Sequence, residues 1–247
     1  IESHYKEEIT QSINSLFKER VQYRFLVSKS QIKNSFNKRS KERFSRTEAK
    51  RFNNLNMKYT FDNFIVGNNN EFAKTASESV SKNPGQQNFN PLIIYGGVGL
   101  GKTHLMHAIG NNALKNNPNL NIVNITSEKF TLDFVNSLRK NKTIEFAQNY
   151  RSSDILLIDD IQFFRGKEQT QEQFFHTFNV LYQSGKQIVL TADKFPGEMK
   201  GLQSRLLSRF QSGLSVDVQP PNFELRVAIL LEKAEQNKLT LDYSAIE

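Results

Sequence analysis

Short runs of consecutive apolar residues alternate along this chain with longer stretches in which apolar residues recur every three or four positions. A run of four to six apolar residues is typical of a buried parallel strand, whereas spacings of three and four indicate an amphipathic helix. Short runs of this kind, mostly but not entirely apolar, lie at residues 92–95, 122–125, 155–158, 187–191 and 216–218. This alternation predicts an α/β fold in which helices flank a parallel sheet.

Helical spacing is present before, between and after these runs. Between the second and third runs it predicts two helices, one with Ser127 as its N-cap and one over residues 143–151. A minimal crossover between parallel strands needs only one helix, so we expect the additional helix to be an insertion with its own function. The other predicted helices cover the stretch after Thr103 and residues 70–81, 169–183, 203–210 and 223–237.

Residues 59–67, called the leading segment below, are largely apolar and end at Gly67. Two interpretations stay open for this segment. It forms a packed strand, or it wraps a nucleotide base, since it lies just ahead of the first strand of the predicted sheet.

The first 30 residues combine a helical pattern with an alternating pattern over residues 21–27. One helix and one strand bury too little surface to be stable alone. We interpret residues 1–30 as the remnant of an N-terminal interaction domain, residues 31–57 as a basic flexible linker, and residues 58–247 as the domain that contains the sheet. The chain begins with Ile, which suggests a fragment.

The formal net charge of +8 is concentrated in one part of the chain. Residues 29–51 contain nine Lys or Arg against two Glu, a net charge of +7, which leaves about +1 for all the other residues. A basic, weakly hydrophobic stretch favours a disordered tether. The alternative is that its spaced Phe and basic residues bind single-stranded nucleic acid.

The absence of Cys excludes disulfides and thiolate metal sites. No apolar run reaches the roughly 20 residues that span a bilayer, and no secretory signal is present. We therefore expect a cytoplasmic protein.

A phosphate-binding motif follows the first apolar run. Gly96, Gly101, Lys102 and Thr103 fit the pattern G-x-x-x-x-G-K-[ST] between a predicted strand and a predicted helix. Glycines let backbone N–H groups surround phosphate oxygens, and the helix N-terminus adds partial positive charge. We expect Lys102 to neutralise the β- and γ-phosphates and the Thr103 hydroxyl to bind Mg²⁺.

Two carboxylates end the third apolar run, 56 residues after Thr103. An Asp at the end of such a strand helps to hold Mg²⁺ in P-loop NTPases, so we assign that role to Asp159. Asp160 follows directly and is placed to polarise an attacking water molecule.

The fourth run also ends in a polar residue, Thr191, and Asp193 follows two positions later. Ligands gather at the carboxyl ends of parallel strands, so a side chain there is expected to point at the γ-phosphate. Arg205 and Arg209 lie four residues apart on one predicted helix face. They either pair with acids nearby or reach across a subunit interface as an arginine finger.

The motifs together resemble the DnaA family of bacterial replication initiators. The similarity runs from about Tyr59 to the end of the chain, and the most specific stretch is Asp-Asp-Ile-Gln-Phe-Phe at residues 159–164. Residues 1–30 look like the end of that family's first, helicase-contacting domain. The resemblance implies an AAA+ P-loop ATPase that binds ATP, ADP and Mg²⁺, assembles on the replication origin when ATP is bound, and is reset by slow hydrolysis.

Site residues carried over from the family follow the motifs position by position. Asp160, Asp193 and Arg209 match catalytic positions. Asp193 matches the sensor 1 position, and Arg209 matches the arginine finger, which contacts the ATP of a neighbouring subunit. Thr103 and Asp159 match the metal positions, and Arg205 a second interface position. The expected nucleotide contacts are Val66, Gly67, Gly97, Gly99, Leu100, Gly101, Lys102, Thr103 and His104.

The resemblance also implies partners. Val135 and Lys167 match positions that contact single-stranded DNA, although Gln169 stands where the family often has a basic residue. Further expected partners are other copies of the chain, origin DNA, the replicative helicase through the N-terminal domain, and acidic phospholipids. The family's lid arginine and duplex-reading domain lie outside the sequence, so we expect no recognition of duplex origin sites.

Two other functions compete with the initiator interpretation. The first is a related helicase loader or replication regulator. The second is a nucleotide-gated assembly module whose hydrolysis is incidental.

Overall fold

The computed structural model of the chain describes residues 54–239. The predicted N-terminal domain remnant and nearly all of the predicted basic linker lie outside the described residues, as does the stretch 240–247.

Five parallel strands form the central sheet. They are β1 (Leu92–Tyr95), β2 (Ile122–Thr126), β3 (Ile155–Asp159), β4 (Gln187–Ala192) and β5 (Leu214–Asp217). Their order across the sheet is β2-β3-β4-β1-β5, with Leu92 opposite Val189 on one side and Leu214 on the other. The central strands β3 and β4 are buried along their whole length, as expected for strands covered on both faces.

Seven α-helices are described in this part of the chain. They are α1 (Glu71–Lys82), α2 (Lys102–Asn116), α3 (Ser127–Arg139), α4 (Thr143–Arg151), α5 (Glu168–Gln183), α6 (Ser204–Gln211) and α7 (Phe223–Gln236). The structure confirms the predicted α/β class and contains every helix predicted within these residues, including both helices between β2 and β3. Where two bounds were predicted, they agree with the structure to about one residue at each end.

Successive strand residues point to opposite faces of the sheet, so each face has its own hydrophobic core. Ile93 packs into a cluster with the aromatic side chains of α3, α4, α5 and α6. Leu92 and Ile94 pack into the other cluster, with residues of α1 and α2 such as Val80 and Leu105. The sheet therefore holds the α3–α4 pair on one face and the P-loop helix α2 on the other.

The leading segment does not form a strand, and that interpretation was wrong. It folds as successive turns, in which the Phe64 N–H donates to the Phe61 carbonyl at 3.4 Å and the Asn63 N–H to the Thr60 hydroxyl at 3.3 Å. Asp and Asn favour turns because their side chains bond nearby backbone groups. Phe61 and Phe64 are buried in the core that contains α2, which accounts for the apolar pattern without a strand.

The N-cap of α3 is Thr126, one residue before the predicted position. Its hydroxyl accepts a hydrogen bond from the Lys129 N–H at 3.1 Å, the usual N-cap interaction. Ser127 instead donates its hydroxyl hydrogen to the Asp160 backbone carbonyl at 2.6 Å. The sequence pattern located the start of the helix but assigned its capping role to the wrong hydroxyl.

Candidate nucleotide-binding site

The predicted P-loop is the tight connection between β1 and α2. Gly101 is the N-cap of α2 and has φ +97°, a left-handed conformation that a side chain disfavours. A Cβ atom at Gly101 would lie 2.9 Å from the Phe64 ring, so the loop also needs Gly for lack of space. With no side-chain cap at Gly101, the first-turn N–H groups and the positive helix end remain suited to an anion.

Lys102 places its ammonium group against the loop itself. Its Nζ donates to the Gly96 carbonyl at 2.8 Å and to the Gly97 carbonyl at 2.7 Å, and the residue is 7% exposed. Phosphate oxygens held by the loop would therefore meet a positive charge that is already fixed in position. Gly97, Gly99 and Leu100, the other predicted loop contacts, lie in the same connection.

The two predicted magnesium residues meet at the carboxyl edge of the sheet. The Thr103 hydroxyl donates to Asp159 Oδ2 at 2.8 Å, although the residues are 56 positions apart. Asp159 ends β3 and is buried. A hydroxyl and a carboxylate are hard oxygen ligands of the type that Mg²⁺ takes beside phosphates, so these residues fit a nucleotide-bound Mg²⁺.

This site differs from an all-protein metal centre. Residues 54–239 contain no group of three or more His, Cys, Asp or Glu side chains suited to hold a metal ion. A magnesium ion here would need the phosphates of a nucleotide as additional ligands.

Asp160 adopts a left-handed backbone conformation, with φ +59° and ψ +57°. Non-glycine residues rarely adopt it, although Asp does so more often than most. The Asp160 N–H donates to the Thr191 hydroxyl at 2.8 Å, and its carbonyl accepts from the Ser127 hydroxyl at 2.6 Å. Its carboxylate accepts from Gln162 Nε2 at 2.9 Å.

Thr191 also donates its hydroxyl hydrogen to Asp159 Oδ1. The sequence indicated a functional residue at the end of β4, and the predicted γ-phosphate contact was assigned to Asp193. The contacts of Thr191, Ser127 and Gln162 with Asp159 or Asp160 were not predicted. The only signal was position, because Thr191 lies at the end of a strand adjacent to β3.

Asp193 follows directly after β4. The adjacent strand pairing places Tyr95 opposite Ala192, and the Gly96 N–H donates to the Ala192 carbonyl at 3.3 Å. The predicted sensor residue therefore leaves the sheet beside the start of the P-loop. Its carboxylate makes no hydrogen bond or ion pair with another described residue.

The leading segment covers the start of α2. His104 Nε2 lies 2.7 Å from the Thr60 carbonyl, and the His104 ring stacks on Tyr59 with centroids 4.8 Å apart. Burial lowers the pKa of His104, with the Lys233 charge adding to that effect and the contact with the Thr60 carbonyl opposing it. These contacts join the segment to the P-loop helix.

Val66 and Gly67 end the leading segment at the N-terminus of α1. Val66 is 41% exposed, whereas Gly67 is packed so closely that a Cβ atom there would lie 2.8 Å from the Leu225 side chain of α7. The Gly67 N–H donates to Asn70 Oδ1 at 3.0 Å. The predicted base contacts thus lie between the P-loop helix and α7.

The two predicted interface arginines lie on α6, outside the P-loop. The Arg205 guanidinium lies 4.7 Å from the Phe175 ring centroid, its Nε donates to Gln203 at 2.7 Å, and its Nη2 is 4.0 Å from Glu172. The exposed ion pair contributes little, on the order of 0–1 kcal/mol. Within residues 54–239 the Arg209 guanidinium has no ion pair, so local pairing with acids does not account for it.

The predicted DNA-contacting residues belong to different elements. Val135 is partly exposed on α3, and Lys167 is the N-cap of α5. Phe130 of α3 contacts Phe164, which precedes Lys167, with ring centroids 5.7 Å apart. The structure thus connects the two elements through their buried faces but shows no direct contact between Val135 and Lys167.

No helix within residues 54–239 is both long and apolar enough to cross a membrane.

Comparison with known proteins gives matches that include this whole site. The family described as the bacterial DnaA ATPase domain matches residues 55–217. The crystal structure of domain III from the Thermotoga maritima replication initiation protein DnaA matches with a TM-score of 0.75 and 49% identity, over 78% of this chain and 80% of that chain.

A structure of the replication initiator DnaA bound to AMPPCP and single-stranded DNA matches with a TM-score of 0.72 and 41% identity. The match covers 78% of this chain and 59% of that one, so this chain corresponds to part of the longer protein. The DnaC helicase loader matches with a TM-score of 0.56 and 16% identity, over 68% of this chain and 99% of that chain, a similarity of fold alone. The family match spans more than half of the sequence, and the chain therefore belongs to the bacterial DnaA ATPase domain family.

Proposed function

We propose that this chain is the ATP-binding module of a bacterial chromosomal replication initiator. ATP binds at the P-loop, the ATP-bound form assembles with further copies on origin DNA and engages single strands, and slow hydrolysis ends that state. The observation that carries the proposal is the convergence of Lys102, Thr103 and Asp159 at one edge of the sheet. A relative that is 41% identical binds an ATP analogue and single-stranded DNA, which supports both parts.

The charge and geometry of the site favour a nucleoside triphosphate with Mg²⁺. Lys102 and the first-turn amides of α2 would hold phosphate oxygens, and Thr103 and Asp159 would hold Mg²⁺, which neutralises phosphate charge. Val66, Gly67 and His104 border the loop on the side of the leading segment and would contact the rest of the nucleotide. ADP would use the same contacts without those to the γ-phosphate.

Hydrolysis in this proposal depends on Asp160 and Asp193. Asp160 would polarise the attacking water, and Asp193 would contact the γ-phosphate from the end of β4. Arg209 would complete the site of a neighbouring subunit as an arginine finger, with Arg205 at the same interface. The lack of a local partner for the Arg209 guanidinium among the described residues supports this role.

Single-stranded DNA is proposed to contact the α3–α4 pair and the start of α5, through Val135 and Lys167. Three partly exposed apolar side chains of α3, Leu132, Val135 and Leu138, provide a surface on which unstacked bases can pack. The proposal also includes residues 1–30 as a helicase-contacting remnant and residues 31–57 as a linker. It further includes binding of acidic phospholipids and a cytoplasmic location.

Substitution of Lys102 tests the nucleotide assignment. We expect Lys102→Ala to weaken ATP binding about 10- to 100-fold, the range typical for loss of hydrogen bonds to a charged group. Isothermal titration of the 247-residue chain with a non-hydrolysable ATP analogue measures the effect.

Lys115→Ala is the matched control, because Lys115 is exposed near the other end of the same helix. It should bind like the wild type. Equal affinity of the Lys102→Ala variant and the wild type would show that the P-loop assignment is wrong.

A further inference from the structure

The backbone N–H and the backbone carbonyl of Asp160 each form a hydrogen bond with a side-chain hydroxyl. The N–H donates to Thr191 Oγ1 at 2.8 Å, and the carbonyl accepts from Ser127 Oγ at 2.6 Å. Thr191 and Ser127 are both fully buried, so water does not compete for these bonds. The two hydroxyls come from β4 and from the start of α3, on either side of the end of β3.

The backbone between these two bonds has the left-handed conformation described above. That conformation is uncommon for a residue with a side chain and persists where the surroundings hold it. It also determines the direction in which the Asp160 Cβ leaves the backbone, and hence where the carboxylate points. The Thr191 hydroxyl restrains this residue's N–H, and its carbonyl is restrained by the Ser127 hydroxyl together with the Phe163 N–H, which donates to it at 3.1 Å.

The Thr191 hydroxyl makes two hydrogen bonds. It accepts from the Asp160 N–H and donates its single hydrogen to Asp159 Oδ1, so one side chain bridges the two consecutive carboxylate residues. Ser can make both bonds, whereas Val has nearly the same shape and can make neither. Ser127, in contrast, contacts Asp160 but not Asp159.

We propose that Thr191 and Ser127 are positioning residues, whose hydroxyls hold the Asp160 peptide in its left-handed conformation and thereby aim the Asp160 carboxylate. The inference rests on the proposed function, in which Asp160 polarises the attacking water. Thr191 has a second effect, since it orients the carboxylate of Asp159 that would act at the magnesium position.

The direct test is the exchange rate of the Asp160 backbone amide, measured by NMR on the 247-residue chain without nucleotide. Loss of one hydrogen bond in Thr191→Val should speed exchange about 2- to 10-fold, and Thr191→Ser should restore protection. Thr177→Val is the matched control, because Thr177 is equally buried but bonds only the Gln173 carbonyl within α5.

Hydrolysis kinetics then separate positioning from general stabilisation. We expect kcat to fall about 10- to 100-fold in Thr191→Val and in Ser127→Ala, the usual range for residues that orient a metal site or its neighbours. Affinity for the ATP analogue without Mg²⁺ should stay at the wild-type value. Only Thr191→Val should raise the Mg²⁺ concentration needed for half-maximal turnover, because only Thr191 contacts Asp159.

Ser127→Ala keeps the proposal testable if Thr191→Val does not fold. Wild-type kcat in the folded variants would overturn the proposal, even if amide exchange were faster, since the hydroxyls would then be structural only. An equal loss of kcat in Thr177→Val would also overturn it. If the wild type failed to bind ATP, the proposed function would fail, while amide exchange would still decide whether the hydroxyls hold Asp160.

Discussion

Asp159 divides its two carboxylate oxygens between two hydroxyls, and in the proposed function this arrangement prepares Thr103 for a metal ion. The Thr103 hydrogen points to Asp159 Oδ2 at 2.8 Å, which leaves the lone pairs of the Thr103 oxygen available to Mg²⁺. The Thr191 hydrogen points to the other oxygen, Oδ1. Asp159 can therefore act on the metal site by orienting Thr103 as well as by its charge.

The protonation state of His107 affects the stability of the fold, because the residue is buried and one of its ring nitrogens accepts a hydrogen bond. Its Nδ1 accepts from the Asn56 N–H at 2.8 Å. Burial lowers the pKa of His107 and the neighbouring His104 lowers it further, while Asp159 opposes the shift. Protonation of Nδ1 would replace that acceptor with a donor and break the bond to the segment before α1.

The free energy of unfolding should consequently fall as the pH drops below about 6.5, the ordinary pKa of His. Below that pH His107 takes up a proton in the unfolded chain but stays neutral in the folded chain, which favours unfolding. The stability that neutral His107 contributes is fully lost once the pH is below the lowered pKa of the folded state. Urea unfolding between pH 7.5 and 5 measures this dependence.

The variant His107→Gln should show a shallower fall over the same pH range. His176→Gln is the control and should keep the wild-type slope, because His176 is exposed on α5 and makes no hydrogen bond to the described residues before α1. Identical slopes for His107→Gln and the wild type would contradict the account of this residue.

At the scale of elements, sequence periodicity predicted the strands, whose positions depend on burial. It failed for the leading segment, whose fold depends on local backbone geometry. The short, mostly apolar runs placed all five strands, and they were clearest for β3 and β4, because strands buried on both faces have no polar face. The leading segment had the same apolar content, yet it has no strand partner and folds into turns that bury Phe61 and Phe64. No periodicity distinguishes these two outcomes over so few residues.

The candidate site likewise contains residues that the sequence predicted and residues that it did not. The positions of Lys102, Thr103 and Asp159 at one edge of the sheet were predictable because these residues belong to short motifs next to strands. Thr191 and Ser127 were not, since their bonds to Asp160 depend on the left-handed backbone of that residue and on the order of β2, β3 and β4 in the sheet.

The α3–α4 pair is attached to the core mainly through aromatic side chains, with Phe130 at the centre. The Phe130 ring is fully buried and contacts Phe146 and Tyr150 of α4, with centroids 5.1 and 4.9 Å apart. It also contacts Phe174 of α5 at 5.6 Å. We expect Phe130→Ala to lower the free energy of unfolding by about 3–5 kcal/mol, as is usual for a buried aromatic residue.

Chemical denaturation measures that loss, and Leu132→Ala on the same helix is the control. Leu132 is 54% exposed, so its truncation should change the unfolding free energy by no more than about 0.5 kcal/mol. A Phe130→Ala variant as stable as Leu132→Ala would show that the α3–α4 pair is not anchored through this cluster.

At the scale of the whole molecule, most of the formal charge lies in a different part of the sequence from the P-loop. Residues 29–51 carry +7 of the formal +8, and the remaining residues are close to neutral. General attraction to DNA would therefore depend on that basic stretch, whereas nucleotide control would depend on the ATPase domain. In the proposed function, many copies of the chain assemble on one DNA molecule. The DNA contacts of the individual copies then add together.

The most direct test of the central claim is whether ATP, and not ADP, drives self-association of the 247-residue chain. Sedimentation velocity with Mg²⁺ should show species larger than the monomer only with ATP or its non-hydrolysable analogue. Arg209→Ala should abolish them, because the arginine would no longer reach a neighbour's nucleotide. Lys82→Ala, which removes one exposed positive charge from α1, should assemble normally. Equal sedimentation with ATP and ADP, or normal assembly of Arg209→Ala, would contradict the account.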